Sequence, residues 1–393
     1  MSDKNKLFDN SDNIAEERRD YIFRSAGLDR RQFLFASGAL AAGATLASWA
    51  PPAHAEVGGQ LEIMAYEGYA MEKETEAWRK AHNVNMRSTV IASQDDVTAK
   101  FVGDPVRLDL AEYSNGYNDL FSGMGILKEI DLSKIPNFNA NDVYPPFFNG
   151  EMWKWDNKQW GIPWTWGVDT IVLNPSAVGF EVTSYKDLLR PELKGKIAFM
   201  DSPLTAWPQM AKIAGYRDKF PNLTKEEVAD VFAKLQPYRE QSKVFATSAG
   251  DMVSLFANGE IAACFNVWTA LPIELAKQNV NTVAIFPVEG PAVWVDAWFI
   301  TKTAENVDTA HAYINQLLTP EVQAACAKNN AVCSVSKKAP PLMDANTRKL
   351  FDYDNFDAKF GSAKIYGQPP RKSDKFATYD DWLQAWSSFK SGF

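Results

Sequence analysis

The stretch Phe286-Pro287-Val288-Glu289-Gly290-Pro291-Ala292-Val293-Trp294-Val295-Asp296-Ala297-Trp298-Phe299-Ile300 carries the residue types best suited to holding a charged solute. In an extended segment the period of two puts Trp294, Asp296 and Trp298 on one side and Val293, Val295, Ala297 and Phe299 on the other. A carboxylate between two indoles suits an amine, because indole faces attract cations and a desolvated carboxylate accepts charge-assisted hydrogen bonds. The same residues also fit a buried strand whose Asp296 satisfies a backbone group. Position along the chain decides between these readings.

Other chemistry has less to stand on. No Gly-rich phosphate loop, metalloprotease His-Glu-x-x-His or nucleophile elbow occurs, so no cofactor and no catalytic activity is implied. His82 and His311 fall on predicted helices with no second ligand nearby and read as surface histidines rather than metal ligands. Cys264 sits in an apolar strand and reads as core. Cys326 and Cys333 lie seven apart across a helix end; an oxidising compartment would let them pair, and the sequence leaves bond or free thiols open.

The elements that must position Asp296 begin after a leader. Asp29-Arg30-Arg31-Gln32-Phe33-Leu34-Phe35, the Ala- and Gly-rich run to Trp49, and Ala53-His54-Ala55 are similar to a twin-arginine export signal with its cleavage site. Removing 55 of 393 residues leaves 338, and a net charge of -8 is unchanged because the leader's seven basic and seven acidic residues cancel. That balance speaks against nucleic acid as a partner. A monomeric periplasmic product is expected. An exported enzyme is the rival, since the twin-arginine route often carries redox proteins.

Two α/β units follow, as a chain of this length predicts. Strands are expected at Gln60 to Tyr66, Val84 to Ile91 and Arg107 to Tyr113, with helices at Met71 to His82, Gln94 to Val102 and Asn118 to Leu127. Trp160 to Pro175 then enters a second unit with strands at Lys196 to Met200 and Ile261 to Val267. Its helices run over Trp207 to Ala214, Lys225 to Leu235 and Asp251 to Ala257. Thr224 and Glu227 mark a capping box. The segment around Asp296 leads back to helices at Asn306 to Leu318 and Pro320 to Lys328. The expected boundaries are residues 56–165 with 297–335 for lobe I, and 166–296 with 336–393 for lobe II, crossing near Trp164 and Asp296. Small-molecule sites are usually built in the cleft between two such lobes. Trp164, Trp166, Trp207, Trp268 and Trp298 are cleft candidates by location.

Taken in order, Tyr66-Glu67-Gly68-Tyr69, Gly161-Ile162-Pro163-Trp164-Thr165-Trp166-Gly167, Arg190-Pro191-Glu192-Leu193-Lys194-Gly195-Lys196, Asn258-Gly259-Glu260-Ile261 and Trp294-Val295-Asp296 resemble the periplasmic spermidine/putrescine-binding proteins of ABC importers. The resemblance implies a type II periplasmic binding fold, two mainly parallel sheets flanked by helices and joined by a hinge. It also implies a docking partner, the ABC permease of the inner membrane. Tyr66 and Tyr69 match that family's aromatic pair, Tyr117 a third aromatic, and Trp294 and Asp296 its Trp-x-Asp. Trp268 lies two residues beyond the family's tryptophan, where Asn266 stands, and Gln368 is a candidate C-terminal contact.

One departure bears on the ligand. Polyamine binders carry two acids after the strand matching Ile197 to Met200, whereas Asp201-Ser202-Pro203-Leu204-Thr205-Ala206-Trp207 has one. A buried ammonium without a counter-charge is costly. Either Asp201 supplies the second anion, or the ligand is a monoamine, an amino acid, a 4-aminobutyrate-like zwitterion or a quaternary amine. An opine or a sugar stacked on the indoles is a further alternative.

Overall fold

Thirteen strands are described in a computed structural model of the chain, which covers residues 57–392 apart from 92–96, 98, 101–106, 118–120, 122 and 361–363. The twin arginines, the cleavage site and most of the expected Gln94 to Val102 helix lie outside the described residues. The first unit contributes β1 (Gly59–Tyr66), β2 (Val84–Ile91), β3 (Leu110–Ser114), β4 (Leu127–Lys128), the hairpin of β5 (Lys154–Trp155) and β6 (Lys158–Gln159), and helix α1 (Glu76–Ala81). Strand β7 (Ile162–Leu173) leads to β8 (Ile197–Met200), α2 (Pro203–Ile213), α3 (Lys225–Gln241), β9 (Ser242–Ala246), α4 (Ala249–Ala257), β10 (Ala263–Trp268) and β11 (Val283–Ile285). Strand β12 (Ala292–Thr301) returns to α5 (Val307–Leu317), α6 (Pro320–Asn330), β13 (Cys333–Ser334) and finally α7 (Tyr379–Ser391).

Eleven strands form one sheet in the order β2-β1-β3-β12-β7-β10-β8-β9, with β4, β11 and β13 on its branches. β2, β1 and β3 run parallel at one end, and β10, β8 and β9 at the other. Between them β12 and β7 pair antiparallel with each other, and β12 and β7 pair antiparallel with β3 and β10. Twelve and ten residues make β7 and β12 about 40 and 33 Å long at strand rise. They are long enough to serve both halves, and every residue of β7 is buried.

Apolar burial divides accordingly. One core runs from Leu61 to Val168, resumes at Val293 and continues through α5 and α6 to Phe360. Two further clusters, from Ile171 and from Val172, fill the other half and include Trp382, Trp386 and Phe389 of α7. The apolar clusters divide the chain at points other than the expected boundaries. The crossings fall at Asp169 on β7 and at Ala292 on β12, and residues 339–360 belong to the first core because Met343, Phe351, Phe356 and Phe360 pack there. Only from Tyr366 does the tail join the second.

Local signals behave as their chemistry predicts. The Thr224–Glu227 capping box is formed, and unforeseen boxes start the short 3-10 turn at Tyr185 and α7. Thr319 stands at the N-cap of α6, but its hydroxyl donates to the Gln316 carbonyl rather than accepting from the helix.

Candidate ligand-binding site

Asp296 stands near the middle of β12, opposite Ser114 of β3 and Thr165 of β7. Directly opposed residues share a sheet face. The Ser114 hydroxyl accordingly donates to Asp296 Oδ1 at 2.6 Å. The side chain is 4 % exposed, and burial pushes its carboxyl up to about 6, with hydrogen bonds from Ser114 and Tyr69 opposing the shift. Tyr69 meets Tyr66 edge-on at 5.8 Å and Trp164 edge-on at 5.2 Å, so aromatic rings wall this end. Below lies Glu112, which accepts from Trp164 Nε1 at 2.6 Å and the Tyr66 amide at 3.0 Å. Burial, and secondly the Asp296 charge, raise the Glu112 carboxyl well above the usual range.

A second carboxylate shares this face. Asp169 lies four residues along β7 from Thr165, about 13 Å at strand rise, and opposite Ala292. It accepts from Thr205 of α2 at 2.7 Å and from the Trp294 indole N–H at 3.1 Å. Burial pushes it too up to about 6, against those two hydrogen bonds. In both cases the groups that oppose the effect of burial are hydrogen-bond donors rather than a Lys, Arg or His. Trp294 pairs with Gly167, between the two acids, and lies flat over it: a Cβ at position 167 would stand 2.2 Å from the indole Cζ2. Only glycine admits that approach.

Asn115 ties the neighbouring chain passages together. Its amide oxygen accepts from the Val295 N–H at 2.7 Å, its amide nitrogen donates to the Tyr366 carbonyl at 2.8 Å, and its own N–H donates to the Val295 carbonyl at 2.9 Å. Gln368 packs on Gly116, with its side-chain oxygen buried and lacking a donor among the described residues. Tyr117 follows, half-buried, tilted on Phe121. The expected residues Tyr66, Tyr69, Tyr117, Trp294, Asp296 and Gln368 thus belong to one neighbourhood. Trp268 is half-buried opposite Asp169 in the β7–β10 ladder, with its ring against the cluster around Val172.

Several expectations are corrected. Trp166 occupies the other face of β7, enclosed by Phe147, Phe351, Phe356 and Phe360, and donates to the Ser334 carbonyl at 2.8 Å. Trp207 and Trp298 are fully buried in the cores, whereas Trp164, equally buried, backs the site through Tyr69 and Glu112. Asp201 is engaged elsewhere: Trp386 Nε1 at 2.7 Å and Lys390 Nζ at 2.6 Å meet its two oxygens and fasten α7 to the second half. Cys326 and Cys333 are free, buried thiols, and burial raises both well above the ordinary value. His311 is buried rather than on the surface, accepting from the Asp131 amide at 2.9 Å.

The sequence reading missed Asp169, Thr205, Glu112, Ser114 and Asn115. Alternation along β7 from Thr165 through Gly167 to Asp169 was the signal available for the first.

Residues 75–350 match the profile of the bacterial extracellular solute-binding proteins. The chain belongs to that family. Among curated relatives of this solute-binding protein, the putrescine-binding periplasmic protein PotF of Escherichia coli is 26% identical over 357 residues, 84% of this chain and 91% of PotF. The spermidine/putrescine-binding periplasmic protein of the same organism is 26% identical over 81% of this chain and 88% of its own. Of solved structures, the spermidine/putrescine substrate-binding protein PotD of Streptococcus pneumoniae superposes with a TM-score of 0.72 at 20% identity, covering 85% of this chain and 99% of PotD. MotA of A. tumefaciens, in complex with glucopine, reaches 0.62 at 17% identity, covering 85% and 99%. The fold is therefore the two-lobed periplasmic binding architecture, which accommodates chemically different solutes.

Proposed function

We propose that this solute-binding protein captures a small cationic amine of the putrescine and spermidine class between its lobes. It acts in the periplasm, reached by the twin-arginine route, and delivers the amine to an ABC permease of the inner membrane. The observation that carries this reading is Asp296, a buried carboxylate without a basic partner, bordered by the rings of Tyr69 and Trp164. A buried anion of that kind is satisfied best by a cation brought from solution. The names of the curated relatives support the same class.

A zwitterion or an anionic opine fits less well. Its carboxylate would enter a face already holding two uncompensated acids. Lys212, the buried ammonium of α2, is directed at the carbonyls of Gly290 and Pro291.

Calorimetric titration with putrescine, spermidine, 4-aminobutyrate and a sugar tests the reading. An amine is expected to bind at micromolar affinity, about 8 kcal/mol. Asp296→Asn should weaken it by about 1.5–3 kcal/mol, the range for hydrogen bonds to a charged group, while the unfolding transition stays cooperative. Binding of the sugar alone, or unchanged amine affinity in the variant, would overturn it.

A further inference from the structure

The first crossing strand holds a carboxylate that neither composition nor resemblance assigned. We propose that Asp169 is a second ligand-binding acid, so that with Asp296 it selects solutes carrying two ammonium groups joined by an alkyl chain. This rests on the cationic-amine reading above and specifies the number and spacing of charges.

Three observations converge. Asp169 and Asp296 lie on one face of the antiparallel β7–β12 pair, and their separation, about 13 Å along the strand, leaves room for a chain of several methylenes. Each acid is held from a different half of the molecule: Asp296 by Ser114 beside the first core, Asp169 by Thr205 at the start of α2, which packs in the second. Between them the Trp294 indole, flat on Gly167, offers an apolar surface for the methylenes.

The nearby buried Lys212 of α2 is committed to the Gly290 and Pro291 carbonyls, and the hydrogen bonds that Asp169 accepts come from Thr205 and Trp294 rather than from a basic group. Gln209, fully buried beside it, donates its amide nitrogen to the Asp169 carbonyl at 2.8 Å, while its amide oxygen finds no donor among the described residues. An uncompensated buried charge is costly. Here two hydroxyl or indole donors hold the carboxylate in place and leave its charge unneutralised. An ammonium supplied by the solute completes it. The missing acid after β8 is thus replaced from another strand, and the changed segment contributes the Thr205 hydroxyl that orients the replacement.

Calorimetry at pH 8 with putrescine and its monoamine counterpart butylamine tests this. Wild type should bind putrescine at least tenfold more tightly than butylamine. Asp169→Asn, which keeps the side chain's shape and removes its charge, should lower putrescine affinity at least tenfold and change butylamine affinity by less than twofold. Asp296→Asn should weaken both. Equal losses for the two amines in Asp169→Asn would mean that the residue only braces Trp294, and would overturn the proposal, as would no loss at all. If that variant does not fold, wild type still decides, because equal affinity for the two amines contradicts a second acid. A wild-type protein that binds neither amine overturns the cationic-amine reading itself, whereas one that binds both alike overturns only the role of Asp169.

Discussion

Asp296 and Asp169 hold their protons more firmly than ordinary aspartates, for a common reason: burial without a counter-ion. The sign of the resulting pH dependence differs between free and loaded protein. In the free protein both carboxyls titrate near 6, above the usual range near 4, so each costs on the order of a few kcal/mol once charged, and that cost is relieved as pH falls through 6. These two groups therefore make the ligand-free protein more stable at pH 5 than at pH 7. A bound cation favours the charged forms, so amine affinity should drop below pH 6 by about tenfold per pH unit for each acid that must lose a proton. Calorimetry between pH 5 and 8 reads both the direction and the number of protons involved. Affinity that is flat across this range would remove both carboxylates from the site.

At the scale of elements, the crossing strands do the positioning. The ladder slips between Asp296 and Ala297, where Trp164 and Thr165 stand against Asp296, and such a bulge re-aims side chains next to binding sites. Trp164 consequently turns inward to Glu112, and Thr165, Gly167 and Asp169 share the face of Asp296. Gly167→Ala should displace Trp294, because the added methyl would stand 2.2 Å from the ring. Amine affinity is expected to fall at least tenfold with little change in melting temperature, measured by calorimetry and thermal unfolding, and unchanged affinity would dismiss the indole as the ligand's surface. Much of this was legible in sequence. Alternation around Asp296, the Trp160 to Pro175 strand and the Thr224 cap all rest on short-range periodicity, which neighbouring residues reveal. Trp166 and Asp169 were misjudged or missed because local alternation separates the two faces of β7, but which face meets Asp296 is set by register with a strand over a hundred residues away. Asp201 was misjudged because its partners, Trp386 and Lys390, come from a helix at the far end of the chain.

In the whole molecule the C-terminal segment completes both halves in turn. Its residues 339–360 enter the first core, and α7 enters the second through Trp382, Trp386 and Phe389. Trp386, 2 % exposed and bonded to Asp201, packs in the second core against Phe245 and Phe389. Trp386→Ala should therefore cost about 3–5 kcal/mol of stability in chemical denaturation, with putrescine affinity of the folded fraction preserved; loss of affinity at full folding would mean that α7 communicates with the site. The Asn115 side chain has a different reach. One amide joins the end of β3, the backbone of β12 and the returning tail at Tyr366, three passages that would otherwise be independent cords. Because Tyr366 packs in the second core, that one amide stitches β3 and β12 to the half on the other side of the crossings.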